Sequence, residues 1–204
     1  MTQPVRLDPA QRAQAAEMLT RAFTEDPAYT YIFPDEADRA RSTRRLWHAV
    51  IGFCLAYGEV WTTPELAGAA GWLAPGKASF SLGQMLRTGF ELPRAWLQFG
   101  GGGRRRAMEI MGYLEGLHKS GMPGPHWYLQ VLGVEPALQG QGIGGRLLQP
   151  VLARADAAGL PCYLETESER NVTFYRRHGF EVLTEGTAPG HDVMLWTMAR
   201  KPQR

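Results

Sequence analysis

Apolar residues recur at helical spacing in some stretches and run almost unbroken in others, and their alternation predicts an α/β chain. Ala15, Ala16, Leu19, Ala22 and Phe23 form one helical stripe. It follows Asp8-Pro9, an N-cap acid with proline at the first helical position. Glu25 to Asp38 reads as a polar, proline-containing connector. Leu46, Trp47, Val50, Ile51 and Cys54 mark a second helix ending near Tyr57-Gly58. Glu59 to Thr63 and Ala67 to Leu73 are expected strands joined through Pro64, with Pro75-Gly76 closing the second. Residues 79–124 read as a helical insert broken at Pro93 and at Gly100 to Gly103. Its methionines Met85, Met108 and Met111 are read as core.

Trp127 to Val134 is apolar enough for a strand buried on both faces. After a glycine-rich turn, Ile143, Leu147, Leu148, Val151, Leu152 and Ala155 share a helical stripe that ends near Gly159, with a kink expected at Pro150. Cys162 to Glu167 is the next strand. Asn171 to His178 is a short helix stopped by Gly179, and Phe180 to Leu183 with Asp192 to Met198 make a final strand pair. With no repeat and no linker, residues 1–204 read as a single α/β domain of mixed topology.

Composition narrows the classes. At 44% hydrophobic and net charge +2 in 204 residues, the chain can bury a core and is not disordered. No apolar run approaches the ~18 residues of a membrane span, and the N-terminus lacks a signal-peptide core. Cys54 and Cys162 lie far apart in apolar surroundings, as buried free thiols of a cytoplasmic protein would. Acids Asp35, Glu36 and Asp38 stand beside Arg39, Arg41, Arg44 and Arg45, so the basic residues make no nucleic-acid stripe. No zinc-knuckle spacing appears, and no metal is expected. Composition leaves monomer or homodimer open.

Chemistry concentrates in Gln139, Gly140, Gln141, Gly142, Ile143, Gly144, Gly145 and Arg146. Glycines between a strand and a helix let backbone N–H groups converge on a phosphate, and Arg146 adds a charge. Gly140, Gly142 and Gly145 also satisfy the dinucleotide pattern, with Glu165 falling 20 residues later. Yet Glu135 to Gln139 separate strand from loop, where the dinucleotide fold runs the strand straight into the first glycine. No Gly-Lys-Ser/Thr follows, which excludes a Walker-type site.

The segment Val134-Glu135-Pro136-Ala137-Leu138-Gln139-Gly140-Gln141-Gly142-Ile143-Gly144 resembles the acetyl-CoA motif of the GNAT N-acetyltransferases, with Gln139, Gly142 and Gly144 at its defining positions. A second block, Asn171, Phe174, Tyr175, Gly179 and Phe180, is similar to another stretch of that family. Within it, Trp127 to Pro202 is similar to puromycin N-acetyltransferase. The resemblance implies a mixed sheet, flanked by helices and splayed between the Trp127 and Cys162 strands, with coenzyme A in the opening. Its pyrophosphate would lie on Gly140 to Gly145, and its pantetheine against the backbone of Leu132 and Val134. Gly133 reads as a bulge, and Asn171 as a coenzyme contact or a helix N-cap.

The implied reaction is transfer of acetyl from acetyl-CoA to a small-molecule primary amine by direct attack, with Tyr175 as general acid. Candidate bases are Glu165, His126, His118 and Glu59; Asp26, Tyr31 and Phe33 are candidates for the acceptor pocket. A protein or peptide acetyltransferase and a non-catalytic acyl-CoA sensor are the rival readings.

Overall fold

The computed structural model describes residues 3–78, 81–188 and 192–203. The first half holds β1 (Val5–Arg6), α1 (Arg12–Ala22), α2 (Pro27–Ile32), α3 (Glu36–Tyr57), β2 (Gly58–Thr62) and β3 (Gly68–Leu73). Helices α4 (Leu82–Arg87), α5 (Glu91–Leu97) and α6 (Gly101–Gly121) form the insert, whose expected first two residues lie outside the described ones. Then come β4 (Trp127–Val134), α7 (Ile143–Ala158), β5 (Cys162–Thr166), α8 (Glu169–Arg176), β6 (Glu181–Thr187) and β7 (Met194–Arg200).

Local chemistry explains where these elements depart from the sequence reading. Asp26-Pro27 repeats the Asp8-Pro9 cap: Asp26 Oδ1 accepts from the Ala28 and Tyr29 amides at 3.0 and 3.3 Å, so α2 forms inside the expected connector. Asp35 caps α3 through the Asp38 amide at 2.8 Å, which starts that helix well before its apolar stripe. Pro93 does not break the insert, because it sits in the first turn of α5, where a missing N–H costs little. One break falls instead at Gly89 and Phe90, with φ of 64° and 57°. The glycine run becomes the first turn of α6, and α7 continues through Pro150.

The seven strands order as β1-β2-β3-β4-β5-β7-β6, and only β4 and β5 are parallel neighbours. One core cluster joins α1, α3, α5 and α6 to one sheet face; a second joins α7 and α8 to the other. Cys54 and Cys162 are buried free thiols. Strands β4 and β5 pair only through Trp127↔Cys162, Tyr128↔Tyr163 and Leu129↔Leu164. Beyond that point β4 stays on β3 as far as Val134↔Gly68, while β5 stays on β7 as far as Thr166↔Trp196. The sheet therefore splays open between its two parallel strands, as the resemblance implied.

A β-bulge sits where the strands part. Gly71 pairs with Val131 and Trp72 with Leu129, so Gln130 is an extra residue on β4. Tyr128 and Val131 consequently share one core cluster, and Leu129 and Leu132 the other. The bulge was expected at Gly133, which has a different task. A Cβ there would lie 2.5 Å from Leu19 Cδ2 and 3.1 Å from Phe23 Cε2, so glycine lets α1 rest on the strand backbone. Gly133→Val should lower unfolding free energy by about 1–3 kcal/mol in urea denaturation. Gly116→Ala, where a Cβ meets nothing within 4 Å on helix α6, should be neutral or stabilising by up to ~1 kcal/mol. Equal effects at both positions would refute this account of Gly133.

Candidate active site

Past β4 the chain makes a 3-10 turn, Pro136–Leu138, and enters the glycine loop. Gly140 and Gly142 take φ of 79° and 73°, which only glycine adopts cheaply. Gly144 and Gly145 serve packing: a Cβ would meet the Phe174 ring at 3.3 Å and His178 Nε2 at 2.6 Å. The start of α7 is thereby seated on α8. Gln139 Nε2 donates to the Val134 carbonyl at 3.2 Å, and Arg146 Nη1 to the Gln141 carbonyl at 3.2 Å, so both ends of the loop are tied down. The opening N–H groups of α7, from Ile143 to Gly145, have no partner within the helix and carry its positive dipole end. Together with the edge of β4 at Leu132 and Val134, which no strand of the described residues pairs on that side, they fit a diphosphate followed by an extended amide-bearing arm.

Beside the splay lies a cavity of about 900 Å³. Gln130, Leu132, Glu165, Glu167, Asn171 and Tyr175 line it from the sheet and α8. Asp26, Trp47, Trp96, Met85, Met108 and Met111 line it from the helices opposite. The three methionines, expected in the core, thus face the cavity, and Met108 is 61% exposed. The Gln130 Oε1 is buried with no hydrogen-bond partner, as befits a residue that a bulge has turned out of the ladder.

Three carboxyl groups gather here. Tyr128 donates its hydroxyl proton to Glu165 at 2.6 Å. Burial pushes Glu165 up to about 7, against the lowering effect of that hydrogen bond. Asp26 rises to about 6, again through burial, although two backbone amides pull it down. Glu167 is raised well above the ordinary range by burial, then by the charges of Asp26 and Glu165. No basic side chain contributes to any of the three shifts. The Tyr175 phenol is raised as well, by burial first and by the Glu167 charge second.

The histidines form a pair of their own. His126 Nδ1 lies 2.7 Å from the Gly124 carbonyl, which can only accept, so that nitrogen carries the proton. The bare His126 Nε2 then accepts from His118 Nε2 at 2.8 Å. Burial, helped by His126, lowers His118 to about 4, and burial lowers His126 too. His118 lines the cavity, stacked on Tyr163 at 4.4 Å between ring centroids, and His126 stands behind it. Glu59 lies elsewhere on the sheet, buried between Arg6 and Arg154.

The acceptor candidates divide. Asp26 lines the cavity, but Phe33 is buried in the core, edge-on to Phe99 at 4.7 Å between centroids, and Tyr31 sits beneath the Arg106 guanidinium at 5.8 Å. Asn171 is not the N-cap of α8, a position held by Ser168; its Nδ2 donates to Thr166 Oγ1 at 3.1 Å. Sequence reading missed Tyr128, Glu167, Trp47 and Trp96. Glu167 had a signal: it stands two residues from Glu165 at a strand end, hence on the same side of it.

The sequence model of the acetyltransferase (GNAT) family matches residues 88–180. A Schizosaccharomyces pombe protein named as an uncharacterized N-acetyltransferase is 27% identical over 207 residues, 97% of this chain and 83% of its own length. A Corynebacterium glutamicum structure described as histone acetyltransferase HPA2 and related acetyltransferase superposes with TM-score 0.70 at 21% identity, covering 100% of this chain and 98% of that one. Salmonella typhimurium yncA, solved with its cofactor acetyl-CoA, gives TM-score 0.54 at 17% identity over 100% and 95% of the two chains. Residues 88–180 thus match the GNAT family, and the splayed sheet, the glycine loop and these relatives support an acetyl-CoA-dependent N-acetyltransferase.

Proposed function

We propose that the enzyme acetylates a small-molecule primary amine by direct attack on the thioester. The observation that carries this reading is the meeting, in one cavity, of the Tyr175 phenol with the Asp26, Glu165 and Glu167 carboxyl groups. The insert supplies one wall of that cavity through Met85, Trp96, Met108 and Met111, and a small acceptor would rest against it. Two buried free thiols, Cys54 and Cys162, suit a cytoplasmic setting.

Each side chain then has a task. The ammonium of the acceptor enters among the carboxyl groups and gives a proton to Glu165, whose affinity near neutrality suits a general base. Glu165 stands out among the four candidates because Glu59 is committed to two arginines and the histidines are spent on each other. The free amine attacks the acetyl carbonyl, and backbone N–H groups of β4 near Leu132 polarise its oxygen. As the carbon–sulfur bond breaks, Tyr175 supplies a proton to the sulfur, and the second proton shed by the nitrogen as the amide forms returns to the phenol. Its burial keeps the phenol protonated beforehand, and a cation beside Glu167 offsets the charge that makes it a reluctant donor. Leu132 and Val134 hold the pantetheine arm, and Gly140 to Arg146 the pyrophosphate. Asn171 borders the cavity as a further coenzyme contact.

Three outcomes test this reading. Tyr175→Phe should lower kcat by about 10²–10⁴-fold with coenzyme A affinity unchanged, measured by thiol release and calorimetric titration; a full-rate mutant removes the phenol from the mechanism. The pH profile of kcat/KM should rise through an apparent pKa near 7, a limb that Glu165→Gln abolishes. Stability should follow the same proton. Because Glu165 is raised from 4.5 to about 7, the folded chain keeps a proton that the unfolded chain releases in that interval. Unfolding free energy should therefore fall as pH rises across it, and less steeply in Glu165→Gln. A parallel slope in wild type and mutant would contradict the assignment.

A further inference from the structure

Resting on the reading of this site as an amine acetyltransferase, we infer that the acceptor is a primary monoamine carried on an apolar body, an arylalkylamine or alkylamine, and not a diamine, polyamine or peptide. The cavity is polarised. Its acid is gathered where β5 ends, in Glu165 and Glu167 with Asp26 across from them. Three partly buried carboxyl groups without one basic neighbour among their influences lack a cation, and an ammonium entering from the cavity would fill that place.

Away from the acids the lining turns apolar. Trp47 packs with Phe23 and Tyr29 at 4.6 and 5.3 Å between ring centroids, an aromatic wall directly behind the Asp26 cap. Trp96, Leu97, Met85, Met108 and Met111 continue it along the insert. Methionine adapts its shape to what it contacts, which suits a wall that takes a flexible or aromatic body. At the rim Leu97 and Met108, 68% and 61% exposed, present apolar surface to water. A body reaching out from the acids would cover both. A volume of about 900 Å³ is ample for such a molecule.

A second ammonium would find no partner along this path. The other charged lining groups are Glu115, which pairs with Lys119 at 2.7 Å, and Arg104. Arg104 sits in the first turn of α6, and at 1.5 Å per residue it is about 21 Å along the helix from His118 and the Tyr128–Glu165 pair. The far end of a diamine would thus lie among methionine and tryptophan, near a like charge.

The test uses n-alkylamines from butyl to octyl beside α,ω-diamines of equal length. Thiol release gives kcat/KM, and calorimetry with coenzyme A present gives Kd without turnover. Monoamine binding should tighten about threefold to fourfold per methylene until the cavity fills, and octylamine should surpass 1,8-diaminooctane at least thirtyfold in both readouts, roughly what an unpaired charge in an apolar lining costs. Met108→Glu, at an exposed position where folding is not at stake, places a carboxylate on the rim four residues from Arg104. It should narrow the gap between octylamine and the diamine at least fivefold. Binding that ignores chain length, or diamines acetylated as well as monoamines, would overturn the inference while leaving the acetyltransferase reading intact. Length-dependent monoamine binding with no transfer to any amine would do the reverse.

Discussion

Everything in this molecule turns on the place where two parallel strands stop pairing. Strand β4 follows β5 for three residue pairs, and the last of them, Leu129↔Leu164, immediately precedes the extra residue Gln130. A bulge bends and twists its strand, so the ladder cannot continue on that side while β3 keeps its hold on the other. One inserted residue thus produces an open backbone edge, a gap between two parallel strands, and a change in which side chains face each layer. Without it, Val131 and Leu132 would exchange faces of the sheet.

The carboxyl groups are the costly part of the arrangement. Burial raises all three, and among the described residues no basic side chain contributes an opposing effect. The fold accepts that cost locally: Asp26 is held by two amides of α2, and Glu165 by the Tyr128 hydroxyl. Both supports come from the elements that position the groups, so capping and site geometry are one feature. The stability surrendered there is available as affinity for a cation.

Much of the coenzyme side was legible in the chain. A glycine loop between an apolar strand and an amphipathic helix announces its backbone chemistry, since φ above zero and close packing both select glycine. That Tyr175 lines the cavity was legible only through its neighbours Asn171, Phe174 and Gly179, because a lone tyrosine carries no signal of its own. The acceptor side was far less so. Trp47 and Trp96 come from helices whose apolar stripes read as core, and only tertiary packing decides which face meets a cavity. Phe33 shows the converse: an aromatic beside the right acid turned toward Phe99 because α2 begins at Asp26 and rotates it inward. Asp26-Pro27 was readable as a cap, by the rule that identified Asp8-Pro9, but its place in a polar connector concealed it.

Gly144 and Gly145 press the coenzyme loop onto Phe174 and His178, the residues that flank Tyr175 in sequence. Loop and phenol are therefore mounted on one rigid block, and the distance between them is set by contacts that cannot stretch. The block works as a ruler. With a diphosphate on the loop and a sulfur at the phenol, as proposed above, it would measure the arm that joins them, and a thioester with a shorter or longer arm would bring its sulfur to rest away from Tyr175. On the proposed assignments, donor selection would then be a matter of length, set by two glycines that pack against side chains of the loop's neighbour.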